Sequence, residues 1–136
     1  MSKIIDIINE LPELLPLKAA NETDISDAEI QLRLHFSNEY KEYIATFGAI
    51  IADGIELSGI AKSKNRNVVT LTKQERELNP LAPNDLYVIE SLGIDGLVIW
   101  QDANGTIYQS SPGKAPTMIF NSLCDYLTEK NPLNNK

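Results

Sequence analysis

The sequence predicts an α+β domain in which a mostly antiparallel sheet of about four to six strands carries helices on one face. Apolar residues recur at helical spacing within residues 4–47 and again within 120–127. Between these segments lie short runs rich in β-branched and aromatic residues, separated by turn-forming residues. Helices and strands that are segregated along the chain in this way favour helices packed against an antiparallel sheet.

Two helices are predicted first. An apolar stripe predicts the first helix, which Pro12 ends before an irregular connection to Pro16. The residues of this stripe are Ile4, Ile5, Ile8 and Leu11. The second helix is predicted to begin at Ser26, whose side chain can cap the amide of Glu29 while the Glu29 carboxylate reaches back, as in a capping box.

The third helix has a predicted beginning, an apolar face and an end. Ser37 is a favourable N-cap residue, and Gly48 stands where a helix commonly ends in a left-handed residue. Between them the apolar residues follow the i, i+3, i+4, i+7 spacing of one helix face: Tyr40, Tyr43, Ile44 and Phe47.

Strands are predicted after Gly48. Ile55–Gly59 and Val68–Leu71 are interpreted as strands, and a capping box at 72–75 predicts a short helix that ends near Leu78. Two further strands are predicted at Leu86–Glu90 and Leu97–Asp102.

A hairpin and a helix complete the prediction. The Asn104-Gly105 pair predicts a tight turn, with residues 106–110 pairing back on the preceding strand. The last helix, capped by Asn121 or Ser122, is predicted from Phe120, Leu123, Cys124 and Leu127. We expect residues 131–136 to form a polar tail.

Length and composition favour one soluble domain over residues 1–136. The first ten residues resemble neither a signal nor a transit peptide, and no apolar run approaches the roughly 18 residues of a membrane span. We therefore expect a cytoplasmic protein without membrane contact. One cysteine and one histidine offer no familiar zinc, haem or iron–sulfur motif, so no cofactor is expected.

The net charge of −7 is unevenly distributed. Residues 1–60 carry a balance of −7, residues 61–77 carry +3, and residues 78–136 carry −3. An acidic surface disfavours nucleic acid and attracts a basic protein, although the same charge can serve solubility alone. The charge pattern does not say whether the basic residues of Lys62–Arg76 bind anything.

Four segments, taken in order, resemble the SUKH superfamily over about residues 22–128. Those segments are Ile25–Glu29, Phe36–Gly48, the hairpin Gly93–Tyr108 and the closing Ser122–Leu127. A further match is Arg76 at the end of the short middle helix. The resemblance implies an α+β fold and a binding role, most often that of an immunity protein against a contact-delivered or polymorphic toxin such as a nuclease. Related fungal domains imply the alternative of a regulatory scaffold in cell-wall synthesis or signalling.

Surface acids and tyrosines are the candidates for binding a basic toxin domain. The acidic candidates flank the first strand and the hairpin, and they are Asp53, Glu56, Asp95 and Asp102. Tyr87 and Tyr108 are candidate aromatic anchors, although either can instead belong to the core. The four acids can equally be separate turn residues. The oligomeric state stays open, with a monomer slightly favoured.

No catalytic residue is predicted, and we expect a protein that is not an enzyme. His35 has no nucleophile beside it in a recognisable motif, and Cys124 lies on an apolar helix face, where a thiol is inert. Glu90, Asp95 and Asp102 could together bind a divalent cation, but Asp95 and Asp102 also fit ordinary turns.

Overall fold

The computed structural model describes residues 3–134, which form five α-helices, seven short strands and a final 3₁₀ turn. The amino-terminal half contains α1 Lys3–Asn9, β1 Leu15–Pro16, α2 Glu22–Leu32, α3 Asn38–Phe47, β2 Ile50–Ala52 and β3 Ile55–Glu56. The remainder contains α4 Val68–Leu78, β4 Tyr87–Ser91, β5 Val98–Gln101, β6 Ile107–Ser110, β7 Thr117–Phe120, α5 Leu123–Lys130 and the turn Pro132–Asn134.

The strands are antiparallel and divide into two sheets, which confirms the predicted α+β class. One sheet has the order β1-β2-β3, and the other has the order β4-β5-β6-β7. The smaller sheet depends on a pairing across more than thirty residues, in which Leu15 lies opposite Ile51. Local periodicity does not reveal such a pairing, so β1 and β2 were not predicted.

The first three helices are present as predicted, except that α1 ends at Asn9, before Leu11, and that one cap differs. Ser37 caps α3 by accepting the amide N–H of Tyr40 at 3.0 Å, and Gly48 ends the helix with φ +73°. The prediction that α2 begins at Ser26 was wrong. Asn21 caps it instead, because Asn21 and Asp24 form a capping box five residues earlier.

The predicted strand Val68–Leu71 was also wrong, because these residues form the first turn of α4. The side-chain oxygen of Asn67 accepts the amide N–H groups of Val69 and Thr70, which supplies the N-cap. The β-branched residues that favoured a strand are buried in the helix. The end of the helix at Leu78 is as predicted.

The hairpin of β5 and β6 is present, with Trp100 opposite Tyr108. Gly105 has φ +94°, the left-handed backbone for which glycine is suited. Strand β7 was not predicted, and it contains Phe120, which had been assigned to the last helix. The N-cap of α5 is Ser122, one of the two caps proposed. Of the predicted tail, residues 132–134 form the 3₁₀ turn, and 135–136 lie outside the described residues.

Apolar side chains cover both faces of the larger sheet, and helices α1, α2, α3 and α5 pack against one of them. Tyr87 and Ile89 of β4 belong to a large cluster with α1, α2, α3 and α5. Val88 of β4 and Trp100 of β5 belong to a second cluster with Leu71 of α4. Helix α4 contributes to both clusters, with Val68 and Val69 in the first and Leu71 in the second. The second cluster also contains Ala82 and Leu86 from the loop between α4 and β4.

Helix α5 is held to α3 through the carboxylate of Glu39. Its Oε1 accepts the amide N–H of Leu123 at 2.7 Å, and its Oε2 accepts that of Cys124 at 3.0 Å. Oε1 also accepts the side-chain amide of Gln101 at 2.9 Å. A negative charge at a helix N-terminus is stabilising, which favours Glu39 at the start of α5. Through these hydrogen bonds Glu39 connects α3, α5 and β5. Within residues 3–134, no helix is long and apolar enough to cross a bilayer.

Candidate functional site

A groove lies between the β2–β3 turn and the loop that joins β4 to β5. It encloses a cavity of about 490 Å³. The groove is lined by Ile51, Ala52, Gly54, Ile55, Glu56, Glu90, Ser91, Leu92, Ile94 and Lys130. These residues come from both sheets and from the end of α5, so the fold assembles the groove from segments far apart in sequence.

The groove has a buried acid, Glu90, which is 3% exposed. Its Oε1 accepts a hydrogen bond from the Tyr126 hydroxyl at 2.5 Å and an ion-paired one from Lys130 Nζ at 2.9 Å. Its Oε2 accepts the backbone N–H of Glu56 at 2.7 Å. Burial and the neighbouring Glu90 raise the pKa of Tyr126, so its hydroxyl stays a donor. The carboxylate therefore fastens β3 and α5 to β4.

A β-bulge turns Glu90 towards the helices. The register of β4 against β5 shifts between Val88 and Glu90. In a regular strand Ile89 and Glu90 would face opposite sides of the sheet. Here Ile89 packs in the cluster with the helices, while Glu90 contacts Tyr126 of α5. A sequence pattern could have indicated this contact. Glu90 is an acid within the apolar run of β4, and Tyr126 and Lys130 stand four residues apart in the last helix.

One of the predicted binding residues lines this groove, and two others are next to lining residues in the chain. Glu56 lines it and is exposed. Asp53 and Asp95 are exposed and stand next to lining residues in the chain, in the β2–β3 turn and the β4–β5 loop. Ile94, which lines the groove, is 65% exposed. The groove thus combines acidic side chains at its margin with one large apolar side chain open to solvent.

Asp102 and Tyr108 lie elsewhere. Asp102 follows the carboxyl end of β5, whereas Asp95 precedes its amino end, so the length of the strand separates them. Asp102 Oδ1 accepts the amide N–H groups of Asn104 and Thr106, and its Oδ2 accepts the hydroxyl of Tyr108 at 2.9 Å. Asp102 is thus a turn residue that organises the hairpin, as the alternative interpretation held.

Tyr87 is a core residue. Its side chain is 0% exposed, and its ring packs edge-on against Phe36. Its hydroxyl accepts the amide N–H of Ser37 at 2.9 Å and donates to Gln101 at 2.7 Å. A side chain in this position cannot serve as a surface anchor without unfolding its surroundings, so Tyr87 is removed from the candidate interface.

The histidine and the cysteine considered for catalysis lie in different surroundings. His35 is exposed, and its Nδ1 lies 3.9 Å from the carboxylate of Glu29. Cys124 is buried. Burial is the main cause that raises the pKa of its thiol to about 12, and the hydrogen bond with Glu39 is the second. Across residues 3–134, no three His, Cys, Asp or Glu side chains are grouped closely enough to hold a metal ion.

Comparison with known families gives one match that spans almost the whole chain. A family model described as SMI1-KNR4 cell-wall, SUKH_5, matches residues 1–131. A search of curated proteins found no significant match.

Proposed function

The chain belongs to the SMI1-KNR4 cell-wall family, SUKH_5, of the SUKH superfamily, and from this premise we propose that it is an immunity protein that neutralises a cognate toxin by stoichiometric binding. Membership supports, in general terms, an immunity or a regulatory scaffold role. The toxin, its basic character and the mode of inhibition are the proposal.

The observation that carries the proposal is the groove bordered by Asp53, Glu56 and Asp95. Three exposed carboxylates near one concavity create a local negative potential, which attracts and orients a basic partner. Ile94 adds an exposed apolar side chain that a partner can desolvate, and desolvated contacts supply most of the affinity in protein interfaces.

The proposed mechanism is occlusion of the toxin's substrate groove. A nuclease domain must present basic residues to a polyanionic substrate, and those residues are the natural partners of an acidic groove. Inhibition needs no chemistry under this proposal, because the bound protein blocks access. Glu90 is engaged by Tyr126, Lys130 and the amide of Glu56, which favours a structural role for it over an acid–base role.

The first test is co-expression with the protein encoded immediately upstream. We expect that protein to carry a toxin domain that stops growth when expressed alone and is tolerated when this chain is co-expressed. The two purified proteins should form a one-to-one complex in size-exclusion chromatography with light scattering. The absence of a toxin gene beside this one, or a toxin that neither binds nor is neutralised, would count against the proposal.

The second candidate function is a regulatory scaffold, which the words "cell-wall" in the family description support. Under this alternative the groove binds an endogenous enzyme of cell-wall synthesis or signalling. Deletion of the gene discriminates the two: a scaffold mutant shows altered cell-wall integrity in pure culture. An immunity mutant is impaired only when it meets the toxin.

A further inference from the structure

A second and larger groove lies between the segment before α2 and the segment after β3. It encloses about 700 Å³. Its walls include three cationic side chains, Lys18, Lys62 and Arg66, with apolar residues between them. The remaining lining residues are Leu17, Ala19, Ala20, Asn21, Asp24, Ile60, Ala61 and Ser63. None of the lining residues is aromatic. None of them lines the first groove, between the β2–β3 turn and the β4–β5 loop, which we call the acidic groove.

Backbone contacts fix the walls of this groove. The amide N–H of Leu17 donates to the carbonyl of Ala49 at 2.8 Å, and that of Ile60 donates to the carbonyl of Gly48 at 2.9 Å. A Cβ at Gly48 would lie 2.1 Å from the carbonyl oxygen of Lys18, so the two chain segments approach as closely as glycine permits. Gly59 has the same role, because its Cβ would lie 1.9 Å from the carbonyl oxygen of Gly48.

The guanidinium of Arg66 lacks partners along one edge. The backbone of Arg66 is fixed, since its carbonyl accepts the amide N–H of Gly59 at 2.9 Å. Its Nε and Nη2 are buried and have no hydrogen-bond acceptor among the described residues. These two nitrogens form a single edge of the planar group, whose parallel N–H bonds match two oxygens of one carboxylate or phosphate. A buried charged donor without an acceptor is costly, so this edge favours an oxyanion.

The charge around Arg66 also favours an anion. Lys18 and Lys62 are exposed at the same groove. The acid that lines it, Asp24, takes part in the capping box of α2 with Asn21. Asp27 belongs to the adjoining cavity, which shares Asp24 and Lys62 with this groove. Three cations against one acid make a positive site on a chain whose net charge is −7.

We propose that this cationic groove binds a small oxyanion, a phosphate- or carboxylate-bearing molecule, with Arg66 as the paired donor and Lys18 and Lys62 as flanking charges. Binding requires the Arg66 side chain to turn its unpaired edge, which is buried in the free protein, into the groove, where it can make a bidentate contact. The recessed position suits a small molecule better than the face of a protein, and the lack of aromatic walls disfavours a stacked base. The inference goes beyond toxin binding and does not depend on it.

The test is titration of the free protein with inorganic phosphate and, separately, with citrate, against sodium chloride at equal ionic strength. We expect one of the two anions to raise the unfolding temperature saturably, which identifies the ligand chemistry. The same anion should shift the Arg66 Nε–H resonance and the amide resonances of residues 17–21 and 60–66 in NMR spectra. Arg66→Gln should weaken binding about tenfold or more, because a charge-assisted pair is lost.

Lys64→Gln is the matched control, since Lys64 is exposed in the same segment and does not line the groove. It should bind the anion as the unaltered protein does. Where Arg66→Gln fails to fold, Lys62→Gln replaces it, and weaker binding is expected there as well. The inference is overturned when both anions act like chloride, or when the folded variants bind undiminished. Binding of hexaglutamate without any effect of phosphate or citrate would reassign the groove to an acidic protein segment.

Discussion

Glu90 illustrates how a single residue can join distant parts of this fold. Its carboxylate receives three donors, and removal of it leaves the ammonium of Lys130 and the amide of Glu56 without their acceptor. Lys130 is partly exposed, which reduces the penalty. We expect Glu90→Ala to lower the free energy of unfolding by about 2–4 kcal/mol, measured by urea unfolding.

The control for this prediction is Glu56→Ala. The Glu56 side chain is exposed, while its backbone N–H supplies the contact with Glu90, so this variant should change stability by less than about 0.5 kcal/mol. Equal effects of the two substitutions would mean that the buried cluster contributes nothing specific to stability.

The tyrosines predict a loss of stability at high pH. Burial is the first cause that raises the pKa of all five, which are Tyr40, Tyr43, Tyr87, Tyr108 and Tyr126. The unfolded chain therefore releases phenolic protons at a lower pH than the folded chain. Their contribution to stability is complete below the unfolded pKa of about 10 and is lost as the pH rises above it.

Urea unfolding at increasing pH measures this effect, with tyrosinate absorbance followed in the same samples. We expect the absorbance to appear together with unfolding. Tyrosinate that forms at the pH of free tyrosine in all five residues while the circular dichroism stays native would contradict the burial of Tyr40, Tyr43, Tyr87 and Tyr126.

At the scale of elements, the contact between α3 and α5 can be tested with a single substitution. Glu39→Ala removes the acceptor for two amide groups at the start of α5 and for Gln101. We expect a loss of about 1–3 kcal/mol in the free energy of unfolding. Amide hydrogen exchange should accelerate most at the start of α5.

The matched control is Glu42→Ala, three residues along the same helix and exposed. It should leave stability within about 0.5 kcal/mol. A loss of similar size in both variants would assign the effect to the helix surface and not to the cap.

Elements with local determinants were predictable from sequence, and those with distant determinants were not. Helix α3 has its cap, its apolar face and its terminating glycine within a dozen residues, and the structure agrees. The start of α4 was misassigned because β-branched residues outweighed the cap that Asn67 provides. Strand β7 lies directly before α5, so the apolar character of Phe120 was assigned to the helix.

At the scale of the whole molecule, the proposed binding surface depends on how the two sheets meet. The acidic groove brings residues 51–56 beside residues 90–94, and only the tertiary fold makes them neighbours. Asp53, Glu56 and Asp95 were predicted from the sequence together with Asp102 and Tyr87. The sequence could not show that only the first three lie at or next to this groove. The Asp102 carboxylate accepts hydrogen bonds within the hairpin turn, and Tyr87 lies in the core.

The second groove could not be predicted from the sequence, because it also depends on tertiary contacts. The basic segment 62–76 was visible as a charge pattern, but Lys18 joins it only through the backbone contacts of Gly48 and Gly59. Charge of opposite sign thus collects in two separate concavities of one small protein.

The most direct test of the central claim is calorimetric titration of the toxin domain that we propose as the partner, with the unaltered protein and with two triple variants. One removes the groove acids through Asp53→Asn, Glu56→Gln and Asp95→Asn. The other removes equal charge from exposed acids outside the groove through Asp27→Asn, Glu42→Gln and Glu77→Gln.

We predict one-to-one binding that weakens with added salt, that is lowered at least about tenfold in the groove variant, and that is nearly unchanged in the control variant. Equal weakening in both variants would reduce the effect to net charge. Full affinity in the groove variant would contradict the assignment of the groove as the toxin-binding surface.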